Sequence, residues 1–216
     1  MLRKIWVTAI VVCIYSASVA QENFKKNEVE IIEHAQQTDK LRILLTNNYE
    51  DSLNLRQKAV AINFTDKRLP KLYELMLNTV KDTANSGVGL AAPQVGIIKR
   101  LFVIQRFDKP NEPFEFMLNP TINWHSNLVQ NGREGCLSIP DTLGMVDRHY
   151  AIQVTYQTIQ GRWITEILEG FTAIIFQHEY DHLDGILFLD RLDEQATKNY
   201  YPSKQNFNYL DDKNVR

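Results

Sequence analysis

Apolar residues recur at helical spacing after Pro70: Leu72, Leu75, Met76, Thr79 and Val80 share one face of a segment running toward Asn85-Ser86-Gly87. Proline suits a first helical turn, where its missing N–H has no partner to lose, so the spacing predicts a helix there. Farther on, the period shifts to two. Ile152, Val154 and Tyr156 alternate with polar residues, Gln160-Gly161 offers a turn, and Trp163 to Leu168 returns, which predicts a hairpin. Arg100 to Gln105, Phe114 to Leu118 and Thr121 to Trp124 are expected to be further strands. A second helix is expected from Phe171 to Leu183, with Phe171, Ile174, Ile175 and His178 on its buried side and Gly185 just past its end. Lys25 to Gln37 has helical character but is polar, which predicts a loose N-terminal extension. From Asp193 onward the chain is polar and is expected to form a short helix or a frayed tail. No internal repeat is present.

The first twenty residues have a different pattern. Arg3-Lys4 form a positive start, Ile5 to Ala17 an apolar run, and Ser18-Val19-Ala20 supplies small residues where a signal peptidase reads. Cleavage before Gln21 and export to a periplasmic or secreted location are expected. The run is short for a spanning helix, so no stable membrane insertion should follow cleavage. If uncleaved, the segment would be an anchor with the domain on the non-cytoplasmic side. The chain is thus expected to divide into a leader at 1–20, an extension at 21–40, a main domain at 41–192 and a polar tail at 193–216.

Composition narrows the function. The 216 residues are 44% hydrophobic and 23% charged, ordinary for one soluble domain. Net charge is -2, and losing Arg3 and Lys4 would take it to -4, so no basic excess suggests a nucleic-acid partner. A monomer is expected. Cys13 leaves with the leader, so Cys136 remains alone and forms no internal disulfide. A buried structural cysteine is the ordinary reading of such a thiol; its surroundings suggest another.

His178-Glu179-Tyr180-Asp181-His182 places two imidazoles one helical turn apart, about 40° around the axis. That arrangement lets a single divalent ion bind both, with Glu179 beside the pair and able to reach the water such an ion activates. The bland alternative is a solvated helix face carrying two unrelated histidines. Cys136, in Arg133-Glu134-Gly135-Cys136-Leu137-Ser138-Ile139-Pro140 between two strand-like regions, would complete a Cys-His-His set. Three protein ligands leave the fourth position open, as hydrolytic metal sites require. No histidine follows His182, and His34, His125 and His149 show no ligand spacing, so they are read as surface or internally satisfied groups.

Gly87-x-Gly89-x-x-Ala92 superficially resembles a dinucleotide fingerprint. That fingerprint needs a strand before it and a helix opening within it, whereas the preceding segment is helical and Pro93 blocks a continuing helix. The better reading is a glycine loop that lets backbone approach a ligand, with Gln94 aimed into the site.

Together GVGLAAPQ, EGCLSIP and HEYDHLDG, in this order, closely resemble the three signature segments of peptide deformylases, a likeness covering roughly Leu41 to Leu192. The resemblance implies an α+β fold, a central HExxH-bearing helix enclosed by antiparallel sheets. It implies metal-assisted removal of the formyl group from N-formylmethionyl peptides, releasing formate. By match to the family's motifs, Cys136, His178 and His182 would hold one divalent metal ion and Glu179 would be the general acid/base. Gln94 and the backbone amide of Leu137 would hold the developing oxyanion. Val88, Gly89, Phe171 and Ile174 would line the methionine pocket and peptide groove, while Glu134 and Arg148 would be a structural pair. Ferrous iron and zinc are the implied ions, with nickel or cobalt as substitutes, and ligands alone do not select among them.

Departures from that family are specific. An export signal is atypical, Leu143 stands where many members have an arginine, and Asp147 is unusual at its place. Two other readings share the motifs: an exported zinc peptidase or amidase with an altered substrate, and a silent peptide-binding module. A peptidase with HExxH usually recruits its third ligand downstream, and intact Gln94, Cys136 and Glu179 argue against decay.

Overall fold

The computed structural model describes residues 21–35, 39–84 and 87–197, so the expected leader and most of the polar tail lie outside the described residues. Twelve helices and strands are formed among the described residues. They are α1 (Lys26–Ala35), α2 (Tyr49–Leu55), α3 (Leu69–Val80), β1 (Gly89–Ala91), β2 (Leu101–Gln105), β3 (Phe114–His125), β4 (Val129–Cys136), β5 (Ile139–His149), β6 (Ala151–Gln157), β7 (Trp163–Glu169), α4 (Gly170–Leu183) and α5 (Phe188–Thr197). A single 3-10 turn, Ala92–Val95, follows β1. No helix among the described residues is long and apolar enough to cross a membrane.

Five strands form one antiparallel sheet in the order β1-β2-β3-β6-β7, and β4 and β5 form a second, two-stranded one. One face of the large sheet packs on α4: Phe102 meets Phe176 edge-on at 5.0 Å, in a core with Ile152, Val154 and Leu168. Leu72, Leu75, Met76 and Val80 of α3 bury against Leu90, Leu101 and Val103 in a second cluster, as their spacing predicted. The α+β arrangement with a central HExxH helix is therefore the observed one.

Several expectations need correction. Two strands were expected across 114–124, but β3 is continuous, with a register shift between Leu118 and Thr121. Asn119 takes a positive φ of 50° there, and its side-chain amide bonds both the N–H and C=O of Ile62, at 2.8 and 2.9 Å. Pro120 has no N–H to offer a ladder, so a bulge at this point costs little pairing.

The N-terminal extension is not loose. Phe24, Ile32 and Ala35 are buried, and Glu22 pairs with Ile62 in a parallel bridge. Lys99 is fully buried, with its Nζ 3.2 Å from Glu22 and 3.8 Å from the buried Glu28. A polar helix can therefore be a packed one when its charges meet buried counter-charges.

The face of α4 was also misjudged. Ile175 is buried as expected, but Phe171, Ile174 and His178 are only partly covered, while Ala173, Phe176, Gln177, Glu179, Asp181 and His182 are buried. Both sheets cover this helix, so polarity no longer marks its outer face. Gln177 is satisfied by the His149 backbone, accepting from its N–H at 3.1 Å and donating to its C=O at 2.8 Å.

The buried Arg106 guanidinium ties the ends of β2, β3 and β7 together through Asp108, Glu115 and Glu166. Next to it, Phe107 packs on Phe171 at 5.0 Å, at the start of α4. Burial opposes ionisation of Glu166, but hydrogen bonds from Arg106 outweigh it and hold its pKa below the usual carboxylate range. A depressed folded-state pKa contributes stability that is present above the unfolded-state value and lost as pH falls through the folded one. Glu166→Gln should therefore unfold at lower urea than the wild type at pH 7, and that difference should shrink as pH drops below about 4. Urea titrations at a series of pH values check this; a gap that widens in acid would contradict it.

Candidate metal centre

Helix α4 sets two of the three candidate ligands. His178 and His182 stand one turn apart, with ring centroids separated by 5.1 Å and planes at 74°. The third arrives at the end of β4, where the register with β5 slips between Gly135 and Cys136 and turns the thiol toward α4. Cys136 Sγ lies 3.3 Å from Nε2 of His182, and the ligand atoms of Cys136, His178 and His182 all fall within 4.8 Å of one another. Zinc–sulfur and zinc–nitrogen bond lengths put tetrahedral ligands ~3.5 Å apart, so the observed edge suits one ion.

Ring orientation reinforces the fit. His178 donates from Nδ1 to Glu134 at 2.8 Å, which leaves Nε2 for a metal. Burial works against charge on His178, yet its hydrogen bonds with Cys136 and Glu134 hold its pKa well above the ordinary value. Burial and the neighbouring His178 drive His182 the other way. A pocket that pulls a proton onto one ligand is a pocket with negative charge to spare for a cation. Glu134 itself is held down to about 2: burial opposes this, and hydrogen bonds from His178 and Arg148 overcome it.

Glu179 faces the same space. Burial pushes its pKa up to about 7, His178 works against that rise, and its Oε2 has no hydrogen-bond partner among the described residues. Gly89 makes room for it, because a Cβ there would sit 2.4 Å from Glu179 Oε1. The glycine segment was read as a loop; it is the edge strand β1 followed by the 3-10 turn. That turn positions Gln94, whose Oε1 accepts from the Ala91 N–H at 2.8 Å. Its Nε2 donates toward Ser138 Oγ at 3.3 Å and Cys136 Sγ at 3.5 Å.

All of these side chains open on one cleft of about 1100 Å³, which Val88, Gly89, Gln94, Cys136, Leu137, Phe171, Ile174, His178 and Glu179 help to line. His182 lies beneath it, buried. Of the residues assigned to the site from the sequence, all but His182 line the cleft. His125 and His149 stack on each other at 3.8 Å, outside the ligand set. Leu143 is 65% exposed at the cleft mouth, and Asp147 accepts from Asn131 across the β4–β5 ladder at 2.7 Å.

Three contributors were missed. Ile43 and Leu45 add apolar wall from the segment before α2. Asp181, inside the HExxH run, is a buried acceptor for Arg148 and Arg191. The available signal was a second carboxylate, besides Glu179, on this helix, which demands a counter-charge once that helix is central.

Comparison with known proteins agrees with this geometry. The family model described as polypeptide deformylase matches residues 43–198. Peptide deformylase 2 of a Nostoc species is 42% identical over 146 residues, covering 64% of this chain and 80% of that protein. The peptide deformylase of Desulfotalea psychrophila is 40% identical over 166 residues, covering 76% and 95%. The crystal structure of peptide deformylase from Thermotoga maritima aligns with a TM-score of 0.63 at 36% identity, over 70% of this chain and 97% of that one. A Met-Ala-Ser-bound class I type b peptide deformylase from Acinetobacter baumannii aligns with a TM-score of 0.60 at 37% identity, over 70% and 97%.

Replacing the thiolate tests the three-ligand set. Cys136→Ser should keep the fold but lose zinc during dialysis against a chelator that leaves the wild type loaded. Elemental analysis of the dialysed proteins reads this directly, and equal zinc in both would remove Cys136 from the set.

Proposed function

Because this chain belongs to the polypeptide deformylase family, we propose that it is a metal-dependent hydrolase that removes the formyl group from N-formylmethionyl peptides or proteins and releases formate. The observation that carries this reading is the convergence of Cys136, His178 and His182 beside Glu179 and Gln94 on one cleft. A formamide is a poor electrophile, and its hydrolysis at neutral pH needs an activated water and a stabilised oxyanion. A divalent ion held by Cys136, His178 and His182 would supply Lewis acidity and lower the pKa of a water at that place.

The remaining work falls to the chain's own groups. Glu179, a carboxylate whose pKa burial raises, would take a proton from the attacking water and return it to the leaving amine. The new C–O bond forms at the formyl carbon, the C–N bond breaks, and the amine departs carrying that proton. Gln94 Nε2 and the Leu137 amide would donate to the oxygen as it gains charge, a contribution typically worth on the order of a hundredfold in rate per donor. Val88, Phe171 and Ile174 offer an apolar wall for the methionine side chain. Gly89 keeps the space above Glu179 open.

Zinc is favoured over ferrous iron if the chain is exported, because a thiolate-bound ferrous site is vulnerable in an oxidising compartment; nickel or cobalt would substitute in the assay. The export reading rests on the Arg3-Lys4, Ile5 to Ala17 and Ser18-Val19-Ala20 pattern. An exposed leucine at position 143 gives the cleft mouth an apolar edge for residues beyond the methionine.

Formate release from a formyl-Met tripeptide by the metal-loaded protein, with the acetyl-Met analogue unreacted, is the expected result. Glu179→Ala should retain its metal and lose turnover by at least about a hundredfold. Metal missing from that variant would contradict the role of Glu179, and inertness of the folded, loaded wild type would contradict the activity. Cell fractionation should recover the chain outside the cytosol with Gln21 at its N-terminus; intact Met1 in the cytosolic fraction would end the export reading.

A further inference from the structure

We infer that Arg191 on α5 is a positioning residue for the metal centre, acting through Asp181, Arg148 and Glu134 to hold the ring of His178. The inference rests on the metal-site reading above and adds a device outside the ligand set.

Asp181 lies on α4 between the two ligand histidines, and both its oxygens are engaged. Arg191 donates from Nη2 to Oδ1 at 2.5 Å and from Nε to Oδ2 at 3.0 Å. Arg148 donates from Nη1 to the same Oδ2 at 2.5 Å. The other donors of Arg148, Nε and Nη2, reach the two oxygens of Glu134 at 2.8 and 3.0 Å. Glu134 Oε2 then accepts from His178 Nδ1 at 2.8 Å. From α5 inward the order is guanidinium, carboxylate, guanidinium, carboxylate, imidazole. Glu134, Arg148 and Asp181 are all buried, so water offers no substitute partner.

Arg148 serves two carboxylates at once. Arg191 covers Asp181 with a fork of its own, which leaves Arg148 free to present its two remaining donors to Glu134. Without Arg191, a buried Asp181 would depend on Arg148 alone and compete with Glu134 for it. The acceptor that orients His178 would then loosen, and outer partners of this kind typically govern metal affinity by ten- to a hundredfold. Arg191 is itself fixed from the far side by Glu194, at 2.7 Å. The same helix touches the centre a second time, where Phe188 stacks on His178 at 6.3 Å.

A plain docking role for Arg191 is the competing account, and Arg56 separates the two. Arg56 pairs with Asp190 on the same helix at an exposed position and takes no part in the chain of charges. The test loads the full chain with zinc and follows its release to a chromophoric chelator. Cobalt absorption spectra, melting temperature, and kcat and KM on a formyl-Met tripeptide complete it. Arg191→Met should release zinc about tenfold faster, shift the cobalt bands, and lower kcat with KM nearly unchanged. Arg191→Lys keeps the charge without the fork and should fall between the two. Arg56→Met should lower the melting temperature while leaving release and spectrum as in the wild type. Unchanged zinc release and spectrum in Arg191→Met, or equal acceleration in Arg56→Met, would overturn the inference. If Arg191→Met does not fold, Arg191→Lys decides on the same readouts. A wild type that holds no zinc would overturn the metal reading as well, a result distinguishable from unchanged release in the variants.

Discussion

A lattice of carboxylates and guanidinium groups beneath α4 allows a polar helix to run through the middle of this protein. Gln177, Glu179, Asp181 and His182 are all buried on that helix. An unpaired buried charge costs several kcal/mol, enough to threaten a domain whose whole stability is of that order. Arg148 from β5 meets the demand, and it can do so because the β4–β5 hairpin lies across the helix with Glu134 and Arg148 facing inward. The hairpin that delivers Cys136 therefore also delivers the charge that makes the site's helix buriable. Binding chemistry and folding share one set of contacts.

The polar atoms left without partners fit this view. Among the described residues they are Glu179 Oε2, His182 Nδ1 and Gln157 Oε1, and two of the three belong to the centre. Groups that serve the fold, such as Asn119 and Gln177, are satisfied on each side. Glu179 Oε2 and His182 Nδ1 go without beside the place where chemistry would occur, and Gln157 Oε1 is the exception. Gly89 belongs to the same logic, since any side chain there would occupy the position of the Glu179 carboxylate.

How much of this was legible in the sequence depended on whether a pattern was local. The HExxH spacing, the proline-started α3 and the β6–β7 hairpin each carry their signal within a dozen residues, and each took the expected form. Cys136 could be attached to the histidines because no later ligand competed. The β4–β5 hairpin was harder to see: Gly132 and Gly135 interrupt its alternation, and its buried positions mix Gln130, Glu134 and Arg148 with the apolar Ile139 and Val146. The same cause hid the true face of α4. Periodicity assumes that polar means exposed, and at this site buried polar residues invert the rule. Asn119-Pro120 looked like a strand break because the compensating partner, Ile62, lies far away in sequence.

The N-terminal extension shows the same effect outside the family match, which begins at residue 43. Glu28 accepts from the backbone N–H of Ile98 at 2.9 Å while its other oxygen faces Lys99, and Ile31 lies against Gly96. Each contact falls on the segment between the turn that holds Gln94 and strand β2. Gly96 has a positive φ of 80°, so this connection bends sharply and would be soft if left bare. Lys99 could not stay buried without the acids that residues 22 and 28 supply. The extension thus packs on the connection that follows the Gln94 turn, and Glu22 and Glu28 in it answer a charge buried in the core rather than a surface left in water.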